Sequence, residues 1–349
     1  MVSTGRYERV VHNVQRFQRR FRARKLGIGI VSSLWLAIAP GCSMVDLASG
    51  QLSMLNEQVP LASAIERESM PERRSLLREL PDILAFAEDV VGLSPGRSYS
   101  GYFATERTGL TYVVTACKRT QFEPYAWWFP IVGTVEYRSY WDEADARAVA
   151  DELGASGYDT WISPSRAYSS LGILRDPITT TMLRDGLPGL VEVVIHELSH
   201  ARLFIPGHTA WNEALASFVG ERGAERYFAS ERFRGTPYQA EAKVRAERRL
   251  ALDRAVAETY AELGLLYASA RSDPDKLARR DACFERLRAR LRELSPNGEP
   301  RDWQVNNARL LHFHRYGANN AVLTRLWRSS GRQFRRFWSE AEAYSKTQL

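Results

Sequence analysis

His196 and His200 stand four residues apart with Glu197 beside the first, in the run Val191-Glu192-Val193-Val194-Ile195-His196-Glu197-Leu198-Ser199-His200. Four residues is just over one helical turn, so a helix stacks both imidazoles on one face. This is the H-E-x-x-H spacing, which can hold one Zn²⁺ between the two rings. Glu197 projects beside them, where a carboxylate can take a proton from a metal-activated water and pass it to a leaving amine. A catalytic zinc site also needs a third protein ligand and an open position. Glu213, thirteen residues after His200, supplies that ligand if a second helix returns antiparallel to the first. Asn212 is the N-cap expected for that helix, and Phe204-Ile205-Pro206-Gly207 turns the chain between the two. The pattern therefore predicts a His₂Glu zinc site of His196, His200 and Glu213, with Glu197 as general base and peptide-bond hydrolysis as the chemistry.

Other elements must hold these residues in place. Pro188-Gly189 reads as the end of the segment before the metal helix, and Leu190, Val194, Leu198 and Ala201 give that helix an apolar face. Upstream, Glu72 to Val91 reads as an amphipathic helix broken or kinked at Pro81. Thr111 to Cys117, Ile131 to Arg138 and Tyr158 to Ile162 are rich in β-branched and aromatic residues and read as strands. Asp142 to Leu153 reads as a helix. Strand, strand, helix, strand ahead of a metal helix is the order of zincin folds, in which a small sheet lies over the active-site helix and its edge pairs with extended substrate. Downstream, Tyr238 to Leu294 reads as a helical hairpin broken near Ser272-Asp273-Pro274, and 302–346 as two helices separated near Gly317 or Gly331. The expected fold is α+β: a zincin-like core with a mostly helical C-terminal region. The expected divisions are a leader at 1–41, a tether at 42–70, the core at 71–235 and the helical region at 236–349.

The formal charge of the 349 residues is +7. Residues 1–41 hold eight basic groups and one acid, so the rest of the chain balances 40 against 40. A neutral body gives no electrostatic case for a nucleic acid partner. After the basic run comes an apolar stretch, Leu26 to Pro40, and then Gly41-Cys42-Ser43, which together read as an export signal. Ala39-Pro40-Gly41-Cys42 resembles a bacterial lipobox, with Cys42 lipidated and the mature protein held on the cell envelope as a membrane-anchored lipoprotein facing the periplasm. An uncleaved anchor over Leu26 to Val45 is the alternative. Cys117 and Cys283 remain, and either a disulfide or two separate buried thiols satisfies the sequence.

Several blocks together resemble the predicted bacterial aminopeptidase family of exported, zincin-like proteins. They are Trp127 to Gly133 followed by Val135 to Trp141, Ala167 to Gly172 followed by Asp176-Pro177, the two metal-helix segments above, and Asn306 to Leu310 with Tyr316. The resemblance covers roughly residues 80 to 345. Trp128, Thr134 and Ser139 depart from it, standing where cysteines and a glycine are common, so any disulfide in that strand is absent here. The resemblance implies a zinc peptidase acting on peptides, with aminopeptidase as the named activity. It also singles out Tyr168, Tyr316, His312 and His314 as candidates to stabilise an oxyanion, ordinary packing being the plainer account of the two histidines. An aminopeptidase must also bind the free amine of its substrate, and Glu123, Glu136 or Glu192 could do so. An endopeptidase on the same site is the nearest alternative. A catalytically silent metal-binding scaffold of the cell envelope is the more distant one, and it gives no reason for a carboxylate at Glu197.

Overall fold

The computed structural model describes residues 41–349 apart from 130–132, 168–169, 173, 295–303 and 318, and apart from the side chains of 41–45, 48, 129, 133 and 315–317. The elements in order are α1 (Gly41–Glu57), β1 (Val59–Pro60), α2 (Leu61–Arg67), α3 (Pro71–Phe86), β2 (Gly101–Phe103), β3 (Thr111–Lys118), β4 (Trp127–Phe129), β5 (Gly133–Val135) and β6 (Arg138–Tyr140). They continue with α4 (Glu143–Ala155), β7 (Tyr158–Ser165), β8 (Ile178–Thr179), α5 (Gly186–Arg202), α6 (Thr209–Phe228), α7 (Pro237–Ala268) and α8 (Asp273–Leu294). Three helices close the chain: α9 (Asn307–Gly317), α10 (Asn320–Ser329) and α11 (Phe334–Gln348). The protein is mixed α+β and mostly helical, with its strands in small sheets.

The sheet that matters for the site has the order β6-β3-β7. β3 pairs antiparallel with β7 along its whole length, from Thr111 opposite Ser165 to Lys118 opposite Tyr158. Strand side chains alternate between faces. Tyr112, Val114 and Ala116 pack with Ala146, Ala150 and Leu153 of α4, while Thr111, Val113 and Thr115 face a cleft. The single strand expected over Ile131 to Arg138 is instead two. β5 folds back on β4, and β6 pairs separately with β3, placing Tyr140 opposite Tyr112. One continuous β-rich run carries no mark of such a change of partner.

α5 is longer than expected. Pro188 and Gly189 lie in its first turn, not before it, where a missing N–H costs nothing because first-turn donors have no helical acceptor. Leu190, Val191, Val194, Ile195 and Leu198 are buried, whereas Ala201 is exposed and lies off the apolar face. α6 begins at Thr209, one turn before the expected cap. Asn212 is buried inside it, and its side chain accepts from Ile205 N at 2.9 Å and donates to Ile205 O at 2.8 Å. It braces the connecting turn and does not cap the helix. α5 and α6 approach closely at Gly220, where a Cβ would lie 2.9 Å from the Glu192 carbonyl oxygen.

α11 completes the core. The Trp338 indole N–H donates to Val91 O at 2.9 Å, just after α3. Phe337 stacks on Phe218 and Tyr344 on Trp211, both partners being on α6. The principal core cluster joins Leu77, Leu80 and Ile83 of α3 to Val194, Phe218, Phe337 and Trp338. Pro81 is accommodated inside α3, and a wide turn over Ala87–Val91 is closed by Gly92 at φ +79°, a conformation that suits glycine. At the far end of the sheet a buried pair, Arg280 to Asp159 at 2.8 Å, ties α8 to β7. Asn307 N donates to the same Asp159 carboxylate at 3.0 Å and Asn307 Nδ2 to Lys118 O at 2.8 Å, pinning α9 there as well.

The hairpin α7–α8 matches expectation, and the tail folds as three helices with breaks near both Gly317 and Gly331. Residues 42–70 fold as α1, β1 and α2. Cys117 and Cys283 are both buried, and no disulfide joins them. The leader at 1–40 lies outside the described residues, and so does the Cys42 side chain. Among the described residues no helix is long and apolar enough to cross a membrane.

Candidate metal centre

The sequence folds α5 and α6 so that three donors meet. His196 Nε2 and His200 Nε2 are 3.2 Å apart. Glu213 reaches them from α6, with Oε2 at 3.6 Å from His196 Nε2 and Oε1 at 3.8 Å from His200 Nε2. Among the described residues this is the group of acidic, histidine or cysteine side chains able to share a metal ion, with ligand atoms within 4.8 Å of one another. A tetrahedral zinc with bonds of about 2.0–2.1 Å spaces its ligands about 3.3–3.4 Å apart, so the donor set fits zinc in both chemistry and spacing. Ser217, one turn after Glu213, lies with its hydroxyl 3.4 Å from His196 Nδ1 and can orient that ring. Sequence reasoning did not single out Ser217, although its i+4 relation to Glu213 was visible. His200 Nδ1 is buried and has no hydrogen-bond partner among the described residues.

Electrostatics separate the roles. Burial and the adjacent His196 drive His200 down to about 4, against the pull of Glu213, which keeps its imidazole neutral and its lone pair available. Burial also opposes charge on His196, but Glu213, Glu197 and Glu192 outweigh it and raise that pKa. Glu197 is pushed up to about 7 by burial; His196 opposes this, and the Glu213 and Asp176 carboxylates add to it. A carboxylate that titrates near neutrality is suited to exchange protons at physiological pH.

Asp176 is a further residue that the sequence did not mark with a role. It is 3% exposed, its Oδ2 accepts from Ser170 N and Ser170 Oγ, both at 2.9 Å, and its Oδ1 has no partner among the described residues. Its own pKa is raised by burial, against the two Ser170 hydrogen bonds.

The site opens into a cleft of about 770 Å³. Thr111, Val113, Thr115, Ser163 and Ser165 of the sheet roof it, and Glu192, His196, Glu197, His200 and Glu213 form the facing wall. His312 of α9 also lines the cleft, whereas His314 is stacked on Tyr260 at 3.8 Å, packed away from the metal group, and its pKa is lowered by burial. Tyr168 lies outside the described residues, and of Tyr316 only the backbone, in α9, is described. Glu221, two turns beyond Glu213 on α6, pairs with Arg249 at 3.6 Å and Arg222 at 3.8 Å and is not in the metal group.

An H-E-x-x-H helix facing a small antiparallel sheet across a cleft, with a carboxylate from the next helix, defines a mixed α+β protein built around a metal-competent His₂Glu cluster. The family model described as "Putative aminopeptidase" matches residues 43–348, and the chain belongs to that family. No curated protein and no solved structure matched the chain.

Proposed function

We propose that the protein is a zinc-dependent peptidase with a zincin-like core, acting as an aminopeptidase, and that the lipobox-like Cys42 tethers it to the cell envelope. The observation that carries the catalytic reading is the convergence of His196, His200 and Glu213 beside a partly buried Glu197. Zinc at that point would supply a Lewis acid that polarises the scissile carbonyl and makes water more acidic. His196, His200 and Glu213 hold the ion, and Ser217 fixes the His196 ring. Glu197 takes a proton from the attacking water and returns it to the leaving amine, a role that its place in the cleft wall beside His196 and His200 suits. The hydroxyl-lined roof leaves room for an extended peptide beneath the sheet.

Metal analysis of purified protein should give about one zinc per chain, and His196→Ala, His200→Ala or Glu213→Ala should lower that occupancy. Glu197→Gln should keep zinc and folding but lose about 10²–10⁴-fold in turnover on a peptide cut by the wild type. Full zinc in a His196→Ala, His200→Ala double variant would move the site elsewhere. Zinc-loaded wild type that cuts no member of a broad peptide library would overturn the hydrolytic reading.

A further inference from the structure

Of the three carboxylates that could bind a substrate amine, the structure brings one to the cleft. Glu123 sits in the turn after β3 and pairs with Lys118 at 2.8 Å. Glu136 lies between β5 and β6. Among the described residues only Glu192 of the three lines the cleft. It stands on α5 one turn before His196, and positions i and i+4 of a helix lie about 5–6 Å apart at Cβ. That distance suits an N-terminal residue, whose amine nitrogen is two bonds from the scissile carbonyl carbon. A carboxylate hydrogen-bonded to that amine must therefore sit within a few ångströms of the hydrolytic centre.

The surroundings of Glu192 give it a fixed position. Arg245 Nε on α7 donates to Glu192 Oε2 at 2.8 Å, and Arg245 Nη2 also lies 3.6 Å from Asp185. Arg166 pairs with Asp185 from the end of the sheet. Glu192 Oε1 accepts no hydrogen bond among the described residues. The same four residues, Arg166, Glu192, Arg245 and Arg249, line both the catalytic cleft and a second cavity of about 400 Å³ behind it. They are the partition between the two. The partition is laced by ion pairs, with Arg249 held by Glu221 at 3.6 Å and Asp253 at 3.2 Å. Of Asp185, Glu192, Glu221 and Asp253, the carboxylates laced into this partition, Glu192 is the one that lines the cleft.

We infer that Glu192, oriented by Arg245, binds the free α-ammonium of the substrate, and that this ion-paired partition ends the cleft one residue beyond the scissile bond. The inference rests on the peptidase reading and supplies its specificity: the substrates are peptides with an unblocked amino terminus, and single amino acids are released.

The test offers zinc-loaded wild type and Glu192→Gln paired peptide libraries with identical sequences, one with free and one with acetylated amino termini, and reads products by mass spectrometry. Wild type should release single residues from free peptides and leave acetylated ones intact. Glu192→Gln should raise KM for a chosen free peptide about 10- to 100-fold, the worth of one charge-assisted hydrogen bond, with a smaller change in kcat. A binding measurement independent of turnover uses metal-free protein and the amide of that peptide in calorimetry: acetylation should abolish binding to wild type, and Glu192→Gln should bind the two forms alike. Thermal unfolding of Glu192→Gln checks that it is folded, and the wild-type arms stand without it. Cleavage of acetylated peptides as fast as free ones would overturn the role of Glu192 and leave a zinc endopeptidase. Equal KM for free peptides in wild type and a folded Glu192→Gln would overturn it too. No cleavage of either library would remove the peptidase reading, and this inference with it.

Discussion

The closeness of α5 and α6 at the metal group can be tested by adding one methyl group. At Gly220 an alanine Cβ would stand 2.9 Å from the Glu192 carbonyl oxygen, 3.4 Å from His196 Cβ and 3.5 Å from His196 N. The oxygen belongs to the backbone of a packed helix and cannot rotate away, so α6 must move back by a few tenths of an ångström. Overpacking of this kind costs about 1–3 kcal/mol, and the better helix propensity of alanine returns about 0.5–1 kcal/mol. The expected net loss is about 1 kcal/mol. Zinc affinity should fall as well, because the same displacement carries Glu213 away from His196 and His200. Gly264 in α7 is the matched control: nothing lies within 4 Å of its added Cβ, so Gly264→Ala should stabilise by about 0.5–1 kcal/mol. Gly223 meets Ile195 Cδ1 at 2.7 Å, the movable end of a side chain, and Gly223→Ala should fall between the two. Urea midpoints at constant m-value measure all three, and a competition assay with a chelating dye measures zinc. If Gly220→Ala were as stabilising as Gly264→Ala, with zinc binding unchanged, the close approach of the two helices would not be what sets the site.

Burial pushes Glu221 up to about 7, against Arg249 and Arg222, with Glu192 and Asp253 adding to the rise. The folded state therefore holds this proton more tightly than the unfolded chain, so its stabilising effect is complete below about pH 4.5 and is lost as pH rises through 7, by roughly 1–3 kcal/mol. Urea titrations of metal-free protein between pH 5 and 8 should show stability falling more gently in Glu221→Gln; an identical slope would contradict this. Arg280→Met should cost about 3 kcal/mol, since it leaves the buried Asp159 carboxylate with only Asn307 N and the exposed Arg119, whose Nε lies 3.4 Å away, and a loss below 1 kcal/mol would mean that Asn307 and Arg119 suffice to hold that charge. Cys42→Ser should shift the protein from the membrane fraction to the soluble one; a variant that stays membrane-bound with residues 1–41 intact would favour an uncleaved anchor.

What the sequence made legible was local. The H-E-x-x-H spacing and the apolar positions of α5 depend on helical periodicity alone, and Glu213 was within reach once Pro206-Gly207 marked a turn. The alternation along β3 likewise showed a sheet with two faces. Contacts made across long separations left no such mark. Arg245 meets Glu192 across 53 positions, and Trp338 meets Val91 across 247; nothing in either neighbourhood names its partner. Asn212 shows a different limit. Its type and place satisfied the rule for a helix cap, yet the turn at Ile205 offered its amide both a donor and an acceptor, and the helix began a turn earlier. A short polar side chain near a helix start has two ways to be satisfied, and only the folded turn decides between them.

The seating of α11 on α6 bears on the order in which the protein can become active during its own synthesis. Trp211 and Phe218, which flank Glu213 on the metal-facing helix, lie against Tyr344 and Phe337. A ribosome delivers the histidines first, then Glu213, and the residues that brace Glu213 more than a hundred positions later. Until 334–348 have emerged, one face of α6 has only solvent to pack against, and the third donor is attached to a helix without its backing. On the proposed reading, a chain that has not yet delivered 334–348 would bind metal poorly, and the group of His196, His200 and Glu213 would be completed only once α11 is available to pack on α6.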